Sequence, residues 1–439
     1  MAKRKTRKHL RRKRLIKIIV RMAVMCLLIA GIVVAIVKIA SSVKMSEPMD
    51  EEVIYKPGPP VPAVESSASF AATGDILLHS SVLSGAYSEG EYDFTESFAA
   101  VSSYWASYDY MIANLEVACG GEESGAFTGY PLFNAPDSIV TGLKDAGVDM
   151  LLTANNHAYD QGSYGMDRTQ DVIMEAGLDY IGTRKNTSEP YVLIKNINGI
   201  KFGFACYTYD TRRSADEIKS INGITMNESA VDLINSFCYS DLESLYVSVE
   251  NDLAKMKREG CDVTVFFMHW GDEYTDEPNN YEQEIARELC NLGVDVIIGG
   301  HPHVIQRYEV LMGENGNATH CLYSMGNSLS SQRKNLMNED GHRGYTEDGL
   351  TISFAYHRFN NGKVKIKDVS ILPLWVDQRY DGVFVIVPLD ETVRPTGWRT
   401  DNTRDAIDSY NRTLGRVGTA YTDVRGWYGW DPVTTFIEY

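Results

Sequence analysis

His301 and His303 stand one residue apart in the stretch Val294–Gln306, VDVIIGGHPHVIQ. The stretch opens as a buried strand, Val294–Ile298, apolar except for Asp295. Gly299, Gly300 and Pro302 then permit a sharp turn, which would set both imidazoles at the carboxyl end of that strand. Open α/β sheets place their sites there. Neutral imidazole is a good ligand for borderline divalent metals. Alone, the motif also reads as a loop with two exposed histidines.

Other strand-like segments end the same way. Ser69–Thr73 runs into Gly74-Asp75 and then ILLH, which ends at His79. Tyr110–Ala113 runs into Asn114-Leu115-Glu116, and Met150–Ala154 into Asn155-Asn156-His157 with Asp160 close behind. Val263–Met268 ends in His269-Trp270-Gly271, followed by Glu273 and Tyr274. His320–Met325 ends in Gly326-Asn327. Each residue alone has a plainer role: Asp75 as a helix cap, Asn114 and Asn156 as turn formers, Glu116 as a solvated charge. Together they gather polar ligand types at one end of the strands. Two carboxylates, an amide and several imidazoles, with no thiolate, suit one or two ions of Mn, Fe or Zn. One carboxylate can bridge two ions, and two metals ~3.5–4 Å apart can activate water and steady a leaving phosphoryl oxygen. Asn114, His79, Trp270, Glu273, Tyr274 and Asn327 are candidates for the surrounding shell or for substrate contact, with core packing the equal alternative for Trp270 and Tyr274. Arg212 and Arg213 follow the strand FGFACYTYD and could neutralise an anion, or lie on a solvated loop.

The positioning elements follow a repeated pattern. Amphipathic segments end at Gly147, Gly177, Gly260 and Gly293, in A-G-V-D, A-G-L-D, E-G-C-D and L-G-V-D. Glycine tolerates the left-handed conformation that ends a helix. Apolar strands follow, so the pattern predicts an α/β fold of layered sheet with helices on both faces. From Leu350, LTISFAYHRF, Asn360-Asn361-Gly362 and KVKIKDVSILPLW predict an antiparallel hairpin.

The first 21 residues hold eleven Lys or Arg and no acid, and Met22–Val37 is unbroken apolar residues and Gly. This predicts a basic cytoplasmic tail (1–21), a transmembrane helix (22–40), a Pro-rich linker (41–67), an extracytoplasmic domain (68–390) and a helical, aromatic extension (391–439). A cleaved signal peptide is the rival reading. The anchor makes the lipid bilayer a partner and the cell membrane the expected location. Beyond the tail, 31 basic residues face 59 acidic ones, which argues against nucleic acid. Seven cysteines show no metal-knuckle spacing, and a Cys119–Cys238 disulfide suits the compartment without being required by the sequence.

The motifs ATGDILLH, ANLE, TANNHAYDQG, MHWGDEY, GGHPHVIQ and YSMGNS resemble those of the CapA family of capsule and poly-γ-glutamate synthesis proteins, which is related to calcineurin-like metallophosphoesterases. The resemblance spans about Phe70 to Trp375. It implies that Asp75 and His303 bind a first metal, that Glu116 bridges, and that Asn156, His269 and His301 bind a second. It implies His157 as the acid for the leaving group, with Asp160 orienting it. It also implies an anionic cell-surface polymer, or its precursor, and membrane synthase or export subunits as partners. One departure stands out. Metallophosphoesterases usually begin with Asp-x-His, and here Leu77 occupies the third place, with His79 two residues on. Three readings remain: a metal-dependent enzyme of polymer assembly, a general envelope phosphoesterase, and a non-catalytic scaffold.

Overall fold

The computed structural model describes residues 17, 20–34, 38, 62–334, 344–390 and 403–427, with side chains of the last span through 417. The chain divides into two units, Met1–Pro60 and Val61–Tyr439. In the first, residues 20–34 are helical and exposed. Among the described residues no helix is long and apolar enough to cross a membrane. Residues 35–37 and 39–40 of the expected anchor, residues 41–61 of the expected linker, and the tail from Tyr428 lie outside the described residues.

The second unit begins with β1 (Val64–Ile76), so regular structure starts inside the stretch expected to be linker. Next come β2 (Met111–Leu115), α1 (Ser138–Asp145), β3 (Met150–Leu152), α2 (Gly162–Glu175) and β4 (Asp179–Ile181). These strands pair in parallel, β1 to β2 to β3 to β4. The chain then builds a second sheet from β5 (Val192–Ile197), β6 (Ile200–Tyr209), α3 (Leu242–Arg258), β7 (Val263–His269), α4 (Asn280–Leu292), β8 (Val296–Gly300), β9 (Tyr308–Met312) and β10 (Ala318–Leu322). Its centre, β6-β7-β8-β10, is parallel, and β5 and β9 add antiparallel edges. The chain returns to the first sheet with β11 (Asn327–Leu329), β12 (Asp348–Phe359), β13 (Val364–Gln378) and β14 (Phe384–Pro388), and ends in α5 (Thr403–Trp427). The long hairpin is β12 and β13, as the alternation predicts.

Strand alternation explains the layering. Phe70 and Ala72 of β1 point into a core shared with Phe204, Val265, Phe267 and Ile298 of the other sheet. Ala71 between them points outward, among Ile139, Val140 and Leu143 of α1 and Ile173 of α2. Phe266 and Met268 of β7 point to Leu245 and Val249 of α3 and Ile285 and Leu289 of α4. Two sheets thus pack face to face, each covered by helices on its outer side. The layered sheet with helices on both faces is thus a pair of sheets, because half of each strand's apolar side chains meet a sheet rather than a helix. The four helix-ending glycines have φ of 96°, 72°, 71° and 100° at Gly147, Gly177, Gly260 and Gly293, as their pattern requires.

α5 lies on the first sheet, with Ala406 and Tyr410 against Trp375, Val385 and Val387. Arg412 donates to both oxygens of Asp348 at 2.8 and 2.7 Å. Arg416 donates to Asp276 at 2.6 Å and Glu277 at 3.0 Å. All seven cysteines are free, Cys119 and Cys238 among them.

Candidate metal centre

The carboxyl ends of β1, β2 and β3 in one sheet meet those of β7 and β8 in the other. Pairing of β1 with β2 slips between Thr73 and Asp75, which aims Asp75 beside Asn114. Gly74 sits at the slip, where a Cβ would lie 1.9 Å from the Gly326 carbonyl oxygen. No larger residue fits. A Cβ at Gly299 would meet the Tyr323 carbonyl at 1.8 Å, and one at Gly300 would meet Asp75 Oδ1 at 3.0 Å. Both glycines of the GGHPH turn are therefore set by close approach. His301 and His303 have φ of 94° and 58°, in the left-handed region that non-glycine residues seldom occupy. The Tyr274 amide holds this turn by donating to the Pro302 carbonyl at 2.8 Å.

The side chains converge. Asn114 Nδ2 donates to Asp75 Oδ1 at 2.7 Å and to Glu116 Oε2 at 3.3 Å. Asn155 holds Asn114 Oδ1 at 3.2 Å and the Leu115 carbonyl at 2.8 Å. His303 Nδ1 lies 3.1 Å from Asp75 Oδ2. His269 Nε2 lies 2.7 Å from Asn156 Oδ1 and 3.4 Å from Glu116 Oε1. Two sets of ligand atoms come within 4.8 Å of one another: Glu116 with His301 and His303, and Asp75 with Glu116 and His269. Glu116 belongs to both, which is the place of a bridging carboxylate.

All six of the expected ligands are buried. Burial pushes the Glu116 carboxyl well above its usual range, and the Asp75 charge adds to this. Burial opposes ionisation of Asp75 too, yet the hydrogen bond and charge of His303 hold its carboxyl below the usual value. Burial drives the imidazole of His269 down to about 3, and that of His301 well below its normal value. Both are neutral, as ligands must be. Glu116 Oε1 and His301 Nδ1 are buried with no hydrogen-bond partner. Orphaned acceptors at the focus of two carboxylates and three imidazoles fit a divalent cation, which would offset their desolvation.

Beside the cluster, His157 Nδ1 lies 2.7 Å from Asp160 Oδ2. Asp160 is held further by the Phe133 amide at 2.8 Å and by Asn222 Nδ2 at 3.0 Å. With Nδ1 committed to the carboxylate, Nε2 is the atom left for proton transfer. The Phe133 ring packs edge-on to His157 at 4.7 Å and to His79 at 5.5 Å. His79 is half-buried at the edge of the cluster, where burial and then the His303 and His157 charges lower it to about 4. Leu77 faces the other way, into the core beneath the helices.

The remaining candidates separate. Tyr274 stands 5.9 Å ring to ring from His303, and its hydroxyl accepts from Gln332 at 3.1 Å. Glu273 is exposed, and its charge adds to the rise at Glu116. Asn327 pairs in register with Asp75, but its amide is spent on Gln332 and the Thr346 carbonyl, each at 2.9 Å. Trp270 is a core residue: fully buried, its indole donates to the Tyr323 carbonyl at 3.0 Å. Arg212 is folded back onto Asp210, at 3.0 and 2.7 Å, and makes no described contact with the cluster. Sequence reasoning missed Phe133, Asn222, Gln332 and Tyr209, whose ring lies 4.8 Å from His301. Only Asn222-Gly223 carries a signal, as a turn dipeptide between Ile221 and Ile224, and that signal says nothing of Asp160.

A sequence model of the family described as "Bacterial capsule synthesis protein PGA_cap" matches residues 69–332. The chain is similar to "Capsule biosynthesis protein CapA" of Bacillus anthracis, 26% identical over 286 residues, covering 64% of this chain and 61% of that protein. It is also similar to "PGA biosynthesis protein CapA" of Bacillus subtilis (strain 168), 27% identical over 222 residues and half of each chain. The matches thus span less than two thirds of these relatives' own length. Among solved structures, a purple acid phosphatase from yellow lupin (Lupinus luteus) seeds aligns with 71% of this chain and 55% of its own, at 12% identity and a TM-score of 0.33. A score that low carries no weight.

Proposed function

The chain belongs to the bacterial capsule synthesis family PGA_cap, and from that premise we propose that it is a metal-dependent phosphoesterase or phosphotransferase of surface-polymer assembly. The observation that carries this reading is the buried set Asp75, Glu116, Asn156, His269, His301 and His303, placed beside the His157–Asp160 pair. The bound cation would polarise a phosphoryl oxygen and lower the pKa of a water. Asp75, Glu116, Asn156, His269, His301 and His303 would hold it. His157, oriented through Nδ1 by Asp160, presents Nε2 to protonate the departing alkoxide. The substrate is a phosphate-linked precursor of the polymer. Poly-γ-glutamate enters only through the names of the family and the B. subtilis relative.

The protein works at the outer face of the cell membrane, held by residues 22–40 with the N-terminus in the cytoplasm. Eleven basic residues followed by an apolar run support this placement. Membrane synthase or export subunits are its partners.

The test is elemental analysis of the full-length chain purified without chelator, beside an Asp75→Asn, His301→Ala double variant, followed by a phosphoester screen. Bound transition metal that the variant lacks, with turnover, supports the enzyme. Metal-free protein without turnover sinks it. Leu77 favours a second reading, a non-catalytic scaffold, because it stands where metallophosphoesterases carry a histidine ligand and turns into the core. Membrane fractionation of the same chain tests the anchor, and recovery in the soluble fraction would overturn it.

A further inference from the structure

Gly415 sits inside α5, and glycine is among the poorest residues for a helix interior. Packing does not require it there. A Cβ at Gly142 of α1 would come within 3.3 Å of Phe98, and one at Gly165 of α2 within 2.1 Å of Gln161. A Cβ at Gly415 would meet nothing within 4 Å. The open space beside it is a cleft of about 440 Å³. Small-molecule sites run from roughly 300 to 1,000 Å³.

The cleft adjoins the metal turn and shares no residue with the six candidate ligands. Val304 and Ile305, next in the chain after His303, are buried in its lining. Among the described residues, three arginines and three acids line it: Arg307, Arg412 and Arg416, with Asp276, Glu277 and Asp348. They pair with one another, Arg412 on Asp348, Arg416 on Asp276 and Glu277, and Arg307 on Glu277 at 3.1 Å. The pairs fix the guanidiniums but leave donors over. A guanidinium offers five N–H groups. Among the described residues Arg307 and Arg412 each make two hydrogen bonds, and Arg416 makes three. The three side chains are 29–30% exposed, so the unused donors are within reach of a ligand.

A lining of equal and opposite charge disfavours a ligand of one sign. An anion on the free guanidinium edges meets the carboxylates beside them, and a cation on the carboxylates meets the guanidiniums. A molecule that carries both charges can set each against its opposite. Val304, Ile305 and the Tyr345 ring, over which Arg412 stands at 3.7 Å, offer apolar surface to the frame between the charges.

We propose that this cleft is a second binding site, separate from the metal centre, and that it takes a small zwitterion of the amino-acid or short-peptide type. The ammonium group meets Glu277, the most exposed of the three acids. The carboxylate meets Arg412, whose Nη1 makes no hydrogen bond among the described residues. Gly415 keeps the entrance open. The site stands whether or not the metal centre is catalytic.

The experiment titrates the full-length chain with glycyl-leucine by calorimetry, beside two capped forms of that dipeptide, the N-acetyl anion and the C-terminal amide cation. The zwitterion should bind at least ~10-fold more tightly than either capped form. Gly415→Leu fills the cleft without removing a charge, and leucine favours the helix, so this variant should fold and lose at least ~10-fold in affinity. Arg307→Gln, on a different segment, removes one cation and should shift the preference towards the amide. No binding at ~10 mM zwitterion, equal affinity for the three forms, or undiminished binding in Gly415→Leu overturns the proposal. If Gly415→Leu fails to fold, Arg307→Gln decides: a shift towards the amide supports the site, and an unchanged order of affinities overturns it.

Discussion

The middle of β1 and its carboxyl end obey opposite physics. At Phe70 the strand is dry: the ring packs on Phe202, Phe204 and Phe354 at 5.5, 5.8 and 5.2 Å between centroids, and is fully buried. Five residues on, roughly 17 Å at the usual strand rise, Asp75 is equally buried among a carboxylate and imidazoles. The first stretch gains free energy from every apolar contact. The second loses it, because charged and polar groups leave water without full compensation. The lesson is a division of labour along one strand: the Phe70 stretch supplies the stability that lets the Asp75 end hold a costly set of ligands ready.

That contrast can be broken. Asp75→Ala should abolish metal binding and turnover while leaving the metal-free protein as stable as before, or more so; elemental analysis and chemical denaturation with chelator measure both. Loss of fold in the metal-free variant would make Asp75 structural and end the comparison. His157→Ala should lower kcat by ~10²–10⁴ with metal content retained, whereas His301→Ala should lower metal content. The reverse pattern, read by the same two assays, would exchange their roles. Phe70→Ala should cost about 3–5 kcal/mol of stability by denaturant titration, with unchanged metal per folded molecule.

A finer test uses His320, in the dry core at 5.9 Å from Phe354, where burial holds the imidazole down to about 4. An unfolded histidine titrates near 6.5, so between these values the unfolded chain binds a proton that the native chain does not. Stability should therefore fall as pH drops from about 6.5 towards 4, by up to about 3 kcal/mol. His320→Gln should lessen that slope by its one proton and leave the part that His79, His269 and His301 carry. An unchanged slope would show that other groups carry it.

Much of the site was legible because its signals are local. A ligand residue just past an apolar strand, and a glycine where a helix must stop, each sit within a few residues of their cause. The pairing of two sheets was not legible, since Phe267 alternates with Phe266 in the same way whether a helix or a sheet covers it. The strand expected over His320–Met325 ends at Leu322, because the chain there leaves one sheet for the other. Contacts set by tertiary approach were invisible too: Asn222 on Asp160, Phe133 on His157, and Arg212 drawn to Asp210 rather than to the cluster.

The strand that carries Asp75 is also closed by the far end of the chain. Thr73 hydrogen-bonds to Ser328, 255 residues away, and to the Leu350 carbonyl, 277 residues away. Asp75 meets His303 across 228 residues. Such distant contacts pay their loop-closure entropy before they are rewarded, so they form late and slowly. During synthesis, then, β1 emerges first and waits for its neighbours. The candidate ligands run from Asp75 to His303, so they cannot gather until His303 has been made, and a cation at this site would be captured only after that.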